Sequence, residues 1–301
     1  TGSFISKIGV EGRGPNEFVT CHDLDTDERG LIYLIDGWKR KVFVYSEAGS
    51  FIRTISVPTN GLCDFRFVDG KFLFYNYNQL SNVGYSYNLL DTSGKTIKNY
   101  SNKYPFVKEM NDAYGFYHEN LFYKFNGVLY KQEVYSDTIY SFENLVFKPH
   151  MLIEVGKRRI TTEARSRYPA EYLQKNYIAP RNLFEFGDYL YYEFISSSSL
   201  THREMYGFIA SKTGDYKVLF NPEEGLIDDL SGGPNLLPLT IKDDLTVVAW
   251  IDALKLKNHV ASEEFRNSRP LHPEKKKELE KLANSLKETD NPVLVMVKLK
   301  K

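Results

Sequence analysis

Between residues 30 and 57 the chain alternates short apolar runs with turn-forming residues, GLIYLIDGWKRKVFVYSEAGSFIRTISV. The runs at 31–36, 41–46 and 50–57 are rich in β-branched and aromatic residues. Gly37-Trp38-Lys39-Arg40 and Glu47-Ala48-Gly49 separate them, so three antiparallel strands are predicted in a ribbon that folds back twice. A strand at 19–25, joined by the Asp25–Gly30 connection, completes a four-stranded unit.

The pattern returns at a spacing of about forty residues, which is the spacing of propeller blades. In a second unit at 62–101, Cys63 aligns with Cys21, and FRFVDGKFLFYNY at 65–77 lies over the earlier strand pair. Leu90-Asp91-Thr92-Ser93-Gly94-Lys95 repeats the turn at 45–50. A third unit at 114–155 has runs at 120–125 and 127–134 split by Asn126-Gly127, a strong hairpin signal, then runs at 137–142 and 148–155.

Residues 157–180 break the β pattern, and Pro169 is positioned to open a short helix there. Residues 182–192 resume the repeat, and Ser211-Lys212-Thr213-Gly214-Asp215-Tyr216 gives a third copy of the turn. The last unit is split: strands at 236–241 and 245–251, then a charged insertion at about 253–290, then a strand at 291–300. Inside the insertion Leu279, Leu282, Ala283 and Leu286 recur at helical spacing behind Pro273, predicting one amphipathic helix.

Sheets of four strands that recur in this way hide their faces against their neighbours, so the predicted fold class is an all-β β-propeller of four-stranded antiparallel blades. It is read as a single domain over 1–301 with two helical insertions. The opening Gly2-Ser3-Phe4-Ile5 matches Gly49-Ser50-Phe51-Ile52, so residues 3–8 are expected to supply the outer strand that the last unit lacks.

Composition agrees with an ordered β-rich chain. Of 301 residues 42% are hydrophobic, and the aromatic share is raised by 22 Tyr and 20 Phe. Thirty-nine basic and 39 acidic side chains cancel, so no global field draws the molecule to a phosphate backbone and nucleic acid is not an expected partner. No apolar run approaches the roughly 20 residues of a membrane span, and the first residues lack the charged and apolar regions of a signal peptide.

The sequence resembles the six-bladed β-propeller proteins of Bacteroides-type bacteria, which are similar to NHL-repeat and TolB-like propellers. The residues that carry the likeness are GSFISKIGVEGRGPNEF at 2–18, IYLID at 32–36, VFVYSEAGSFIRTI at 42–55, Asp137-Thr138-Ile139-Tyr140, and DNPVLV at 290–295. The resemblance implies an exported, often lipid-anchored protein of the cell envelope, in the periplasm or at the cell surface, and brings no catalytic residues with it. About five units are visible where the family has six, and the family has further strands before the GSFI position. The expectation is therefore a chain whose earlier strands and export signal lie upstream of Thr1, rather than one that closes with five blades.

Candidate chemistry is sparse. Cys21-His22-Asp23 and Cys63-Asp64 begin the innermost strands of neighbouring units. They form a polar cluster at a channel mouth, a disulfide, or simply two small buried cysteines, and the last is the preferred reading. Asp25-Thr26-Asp27-Glu28 lacks the spacing of a calcium loop and reads as a turn. Asp36, Trp38 and Arg40 leave the second strand of their unit; Trp with Arg is typical of binding hot spots, and a Trp packed against the next blade is an equally ordinary reading. His22 and the loop residues Arg13, Glu17, Asp228 and Asp229 are weaker ligand-binding candidates. The six histidines show no metal-ligand spacing; no GxSxG, P-loop or dinucleotide fingerprint occurs, and no metal or cofactor is expected.

Two functions follow. The preferred one is a non-catalytic binding or scaffold propeller whose partner is a glycan, peptide or protein. The other is an enzyme on the same fold, of the metal-dependent lactonase or hydrolase type or a lyase, working at the channel mouth.

Overall fold

The computed structural model describes residues 6–58, 63–79, 81–109, 116, 118–199 and 202–300. Its strands fall into five successive antiparallel sheets. The first holds β1 (Asp23–Thr26), β2 (Ile32–Asp36), β3 (Lys41–Tyr45) and β4 (Phe51–Ser56); the second β5 (Cys63–Val68), β6 (Lys71–Asn76), β7 (Tyr85–Leu90) and β8 (Thr96–Ser101). The third holds β9 (Asn120–Phe125), β10 (Val128–Glu133), β11 (Thr138–Glu143) and β12 (Val146–Leu152). Helices α1 (Thr162–Arg167) and α2 (Ala170–Asn176) follow. The fourth sheet is β13 (Ala179–Phe186), β14 (Tyr189–Ser198), β15 (Arg203–Ser211) and β16 (Lys217–Phe220). The fifth begins with β17 (Thr240–Asp243) and β18 (Thr246–Ile251). It is interrupted by α3 (Ala253–Ala261), α4 (Glu263–Asn267) and α5 (Pro273–Ser285), and ends with β19 (Val293–Lys298) on the outer side of β18.

Each sheet is a meander in sequence order, the blade of a β-propeller. The strand β6, KFLFYN, shows why such strands read as unbroken apolar runs. Its Phe72 and Phe74 join one core with Tyr33, Ile35, Val42 and Val44 of the first sheet. Its alternate residues Leu73 and Tyr75 join another with Leu129 and Phe142 of the third. A strand buried on both faces has no polar side to show.

The repeated turn is the same object three times. The amide of Ser46 donates to Ser50 O and that of Gly49 to Ser46 O; Asp91, Lys95 and Gly94 repeat the arrangement, and Ser211, Tyr216 and Gly214 repeat it with one extra residue. The three glycines sit at φ of 83°, 89° and 81°, where a side chain would strain the backbone. That requirement is what made the repeat visible in sequence.

The chain forms two compact units. One comprises 6–122 and Leu129–Ala179; the other Tyr123–Val128, the tip of the β9–β10 hairpin, with 180–300. In the first, α1 and α2 lie over Phe116, Val134 and Ile160, with Ala164 and Leu173 turned inward. In the second, Leu256, Val260, Phe265 and Ala283 of the three helices pack on Ile251.

Several boundaries differ from expectation, each for a physical reason. Residues 19–22 are not strand: Val19 and Thr20 give their amides to the Asp36 carboxylate instead of to a ladder. The run at 236–241 shortens to β17 because Leu236 bridges Leu226 instead. Pro169 caps α2 from outside rather than serving as its first residue, and the insertion after β18 holds three helices where one was expected. Of the proposed closing strand, residues 3–5 lie outside the described residues, as does the Gly2–Ile5 match. Ser6–Ile8 is not strand and runs against the β3–β4 turn, with Lys7 O 3.1 Å from where a Cβ on Gly49 would sit.

Candidate functional site

The β2–β3 turn, Gly37 to Arg40, is held from below. Asp36 is fully buried, and its carboxylate accepts the amides of Val19 (2.6 Å), Thr20 (3.5 Å) and Lys39 (3.0 Å). The Lys39 ammonium donates to the carbonyls of Gly14 and Glu17. Glu17 folds its carboxylate back onto the Gly14 amide at 2.8 Å, and a Cβ on Gly12 would lie 2.1 Å from that carboxylate and displace it. Asp36 and Glu17, candidate ligand groups by sequence, are thus occupied by the backbone.

What the turn presents is Trp38, 69% exposed, with its ring centroid 6.1 Å from that of His22. His22 Nδ1 accepts the Gly37 amide at 3.1 Å, so the neutral ring carries its proton on Nε2. Arg40 closes the turn from a left-handed conformation (φ 52°) and is exposed, as is Arg13 on the 11–18 loop. The structure therefore brings Glu17, His22 and Asp36 together in one hydrogen-bonded support beneath the turn that presents Trp38. Asp228 and Asp229 belong to a loop of the other unit.

A second cluster lies along the innermost strands β1 and β5. Asp23 Oδ2 accepts the Phe65 amide at 3.1 Å and pairs with Arg66 at 2.6 Å; Asp25 Oδ2 accepts the Phe67 amide at 2.7 Å. Carboxylates of one blade thereby take up amides on the free edge of the next, a use of inward charge that tames an edge strand. Beside them the Tyr77 hydroxyl donates to Asp64 at 2.8 Å.

Burial, with the Asp23 charge next in importance, pushes the Asp64 carboxyl up to about 7, against the opposing pull of the Tyr77 hydrogen bond and Arg66. The folded protein therefore binds this proton more tightly than the unfolded chain. The stabilisation is complete below about pH 4, the range of an ordinary aspartate, and is lost as pH rises through about 7. Urea midpoints should therefore fall from pH 5 to 8 more steeply in the native protein than in Asp64→Asn; equal slopes would show that Asp64 titrates as an ordinary aspartate.

The sequence singled out Asp23 and Asp64 beside their cysteines but not Arg66 or Tyr77. A usable signal existed: in CDFRFV the polar residues alternate with Cys63, Phe65 and Phe67, yet Asp64 and Arg66 are only part-exposed. The cysteines are both free, and Cys21 is exposed, which corrects the expectation that both are buried. The amides of Val19 and Thr20 turn to Asp36, and Cys21 lies outside β1, exposed, where Cys63 fills a core position. Desolvation and the Asp23 and Asp36 carboxylates push its thiol up, making it a poor nucleophile. Of the expected turn at 25–28, Asp25 and Thr26 belong to β1, paired with Tyr33 and Ile32, and the turn begins at Asp27, whose carboxylate accepts the amides of Arg29 and Leu31. Among the described residues no group of three His, Cys, Asp or Glu side chains is placed to hold a metal ion, and no helix is long and apolar enough to cross a membrane.

The model of a domain of unknown function, DUF4934, matches residues 1–298. The chain belongs to the DUF4934 family. No curated protein matches this DUF4934 chain. Among solved structures it is similar to a candidate exported protein of Bacteroides fragilis, at 18% identity and a TM-score of 0.67 over 99% of this chain and 82% of that one. This likeness extends to the fold. A DUF4221 member from Bacteroides vulgatus (10% identity, TM-score 0.49, 71% and 70% covered) and BamB from Moraxella catarrhalis (13%, 0.42, 78% and 62%) are more distant.

Proposed function

We propose that this DUF4934 chain is a non-catalytic binding or scaffold propeller of the bacterial cell envelope, contacting a glycan, peptide or protein through the β2–β3 turn. The observation that carries this reading is the Trp38 ring, 69% exposed beside His22 on a turn whose backbone is held by the His22 ring and the Asp36 carboxylate. A large exposed aromatic surface on a braced backbone leaves only its own side-chain torsions to order on binding, and a neighbouring Nε2–H supplies direction. The envelope location is supported by the likeness to the candidate exported protein and by the sequence resemblance to NHL-repeat and TolB-like propellers.

Trp38 and Trp250 are the two tryptophans. Trp250→Phe therefore leaves Trp38 as sole reporter, and its emission should shift when oligosaccharides, extended peptides or envelope proteins that bind are titrated in. Followed by calorimetry in the otherwise native chain, Trp38→Ala should weaken that binding about thirtyfold, the scale of an interface hot spot. Binding indifferent to Trp38→Ala would end the proposal.

A second reading, an enzyme of hydrolase or lyase type, is favoured by one feature: a carboxyl that is half-protonated near pH 7 beside Tyr77 is suited to acid–base work. Turnover abolished by Asp64→Asn but indifferent to Trp38→Ala would favour it.

A further inference from the structure

The second compact unit contains an apolar cavity of about 230 Å³. Its walls include Phe186, Ile209, Leu236, Val247, Val297 and Leu299, from β13, β15, the stretch before β17, β18, β19 and the chain just beyond it. The size exceeds the roughly 150 Å³ hole that holds benzene and falls short of the roughly 300 Å³ at which drug-sized pockets begin, so one ring or a short alkyl chain fits.

The rim is the loop around residues 227–230. Its two carboxylates differ. Asp228 is consumed by its own turn, accepting the amides of Leu230 (3.1 Å), Ser231 (2.9 Å) and Gly233 (3.1 Å) and the Ser231 hydroxyl. Asp229 is exposed, and its carboxylate has no partner among the described residues; only its backbone is engaged, through the Leu271 amide. The loop is pinned from behind, because the His272 amide donates to Leu230 O and His259 Nε2 bonds Gly232 O at 2.9 Å. Ile227 stands 80% exposed at the same rim. An apolar socket with one fixed, unspent negative charge at its mouth is complementary to a ligand that is apolar at one end and cationic at the other.

We propose that this cavity is a binding site for a small aryl or alkyl amine, the ring or chain entering between β18 and the 227–230 loop and the ammonium meeting Asp229. The site is independent of the Trp38 platform, so either proposal survives the failure of the other. Phe186, Ile209 and Val247 supply the contact area, and Asp229 supplies the choice of charge.

The probes are 2-phenylethylamine, 2-phenylethanol and phenylacetate, titrated into the full chain while the methyl resonances of Leu236, Val247, Val297 and Leu299 are followed by NMR. The amine should move those methyls at the lowest concentration and the carboxylate at the highest. The amine should be favoured over the alcohol about threefold to fivefold in low salt, the scale of a solvent-exposed ion pair. Asp229→Asn lies on the surface and leaves the fold intact; it should equalise amine and alcohol without abolishing either. Ala249→Leu, which fills the cavity, should remove the response to all three. Unmoved cavity methyls, equal binding of the three probes, or an amine preference that persists in Asp229→Asn would each overturn the proposal.

Discussion

Replacing Arg165 with methionine is expected to destabilise the protein by about 3–5 kcal/mol, because it strands a buried carboxylate. Arg165 and Glu119 are both fully buried and meet at 3.0 Å. Glu119 also accepts the Asn78 amide at 2.7 Å, and the guanidinium of Arg165 reaches the Tyr135 hydroxyl and stacks over Phe106 and Phe116. Burial already pushes the Glu119 carboxyl up against the opposing pull of Arg165; removing that cation removes the largest group holding it down. The loss should therefore grow as pH rises, since the folded state must then either keep a proton that the unfolded chain releases or ionise without a partner. Glu119→Gln combined with Arg165→Met should recover most of the stability, as buried pairs often tolerate neutral replacements of similar shape. Denaturant midpoints of the two single variants and the double measure this. A single-variant loss below about 1 kcal/mol would mean that the pair is solvated and the helical insertion only loosely attached.

Phe72→Ala is expected to cost a similar amount, about 3–5 kcal/mol, for a different reason. Phe72 is fully buried at the centre of a cluster: edge-on to Tyr33 of the first sheet at 5.0 Å, and 5.2 Å from Phe67 and 6.1 Å from Phe65 and Phe74 within its own. Truncation leaves a hole where two blades meet, and aromatic neighbours on both sides limit collapse into it. Phe51 provides the control. It touches Tyr45 at 6.0 Å but is 37% exposed on an outer strand, so Phe51→Ala should cost about 1 kcal/mol or less. Comparable losses at both positions would show that the blades are not packed face to face as described.

The blade pattern was legible because it rests on local demands. Glycine is required at 49, 94 and 214 by a left-handed turn residue, and Asn126-Gly127 by a two-residue hairpin with φ of 47° and 71°. The apolar stripe behind Pro273 was legible for the same kind of reason. What escaped depends on distant partners. Nothing local says that Asp36 will draw Val19 and Thr20 out of a strand, or that Asp23 and Asp25 will meet Phe65 and Phe67 some forty residues later. Helices α3 and α4 were hidden by their short length and charged sequence: their buried residues, Ala253, Leu256, Val260 and Phe265, are too few to stand out among lysines and glutamates. At the candidate site, the identity of Trp38 and His22 was readable, but not that Asp36 and Glu17 serve the backbone rather than a ligand.

The first two blades are fastened edge to edge by carboxylates as well as face to face by aromatics. Backbone hydrogen exchange at Phe65 and Phe67 reads this most directly, since both amides donate to Asp23 and Asp25 rather than to a strand. Slow exchange at both positions is predicted, with acceleration confined to these amides in Asp23→Ala and Asp25→Ala. Rapid exchange at both in the native protein, as at a free strand edge, would contradict it.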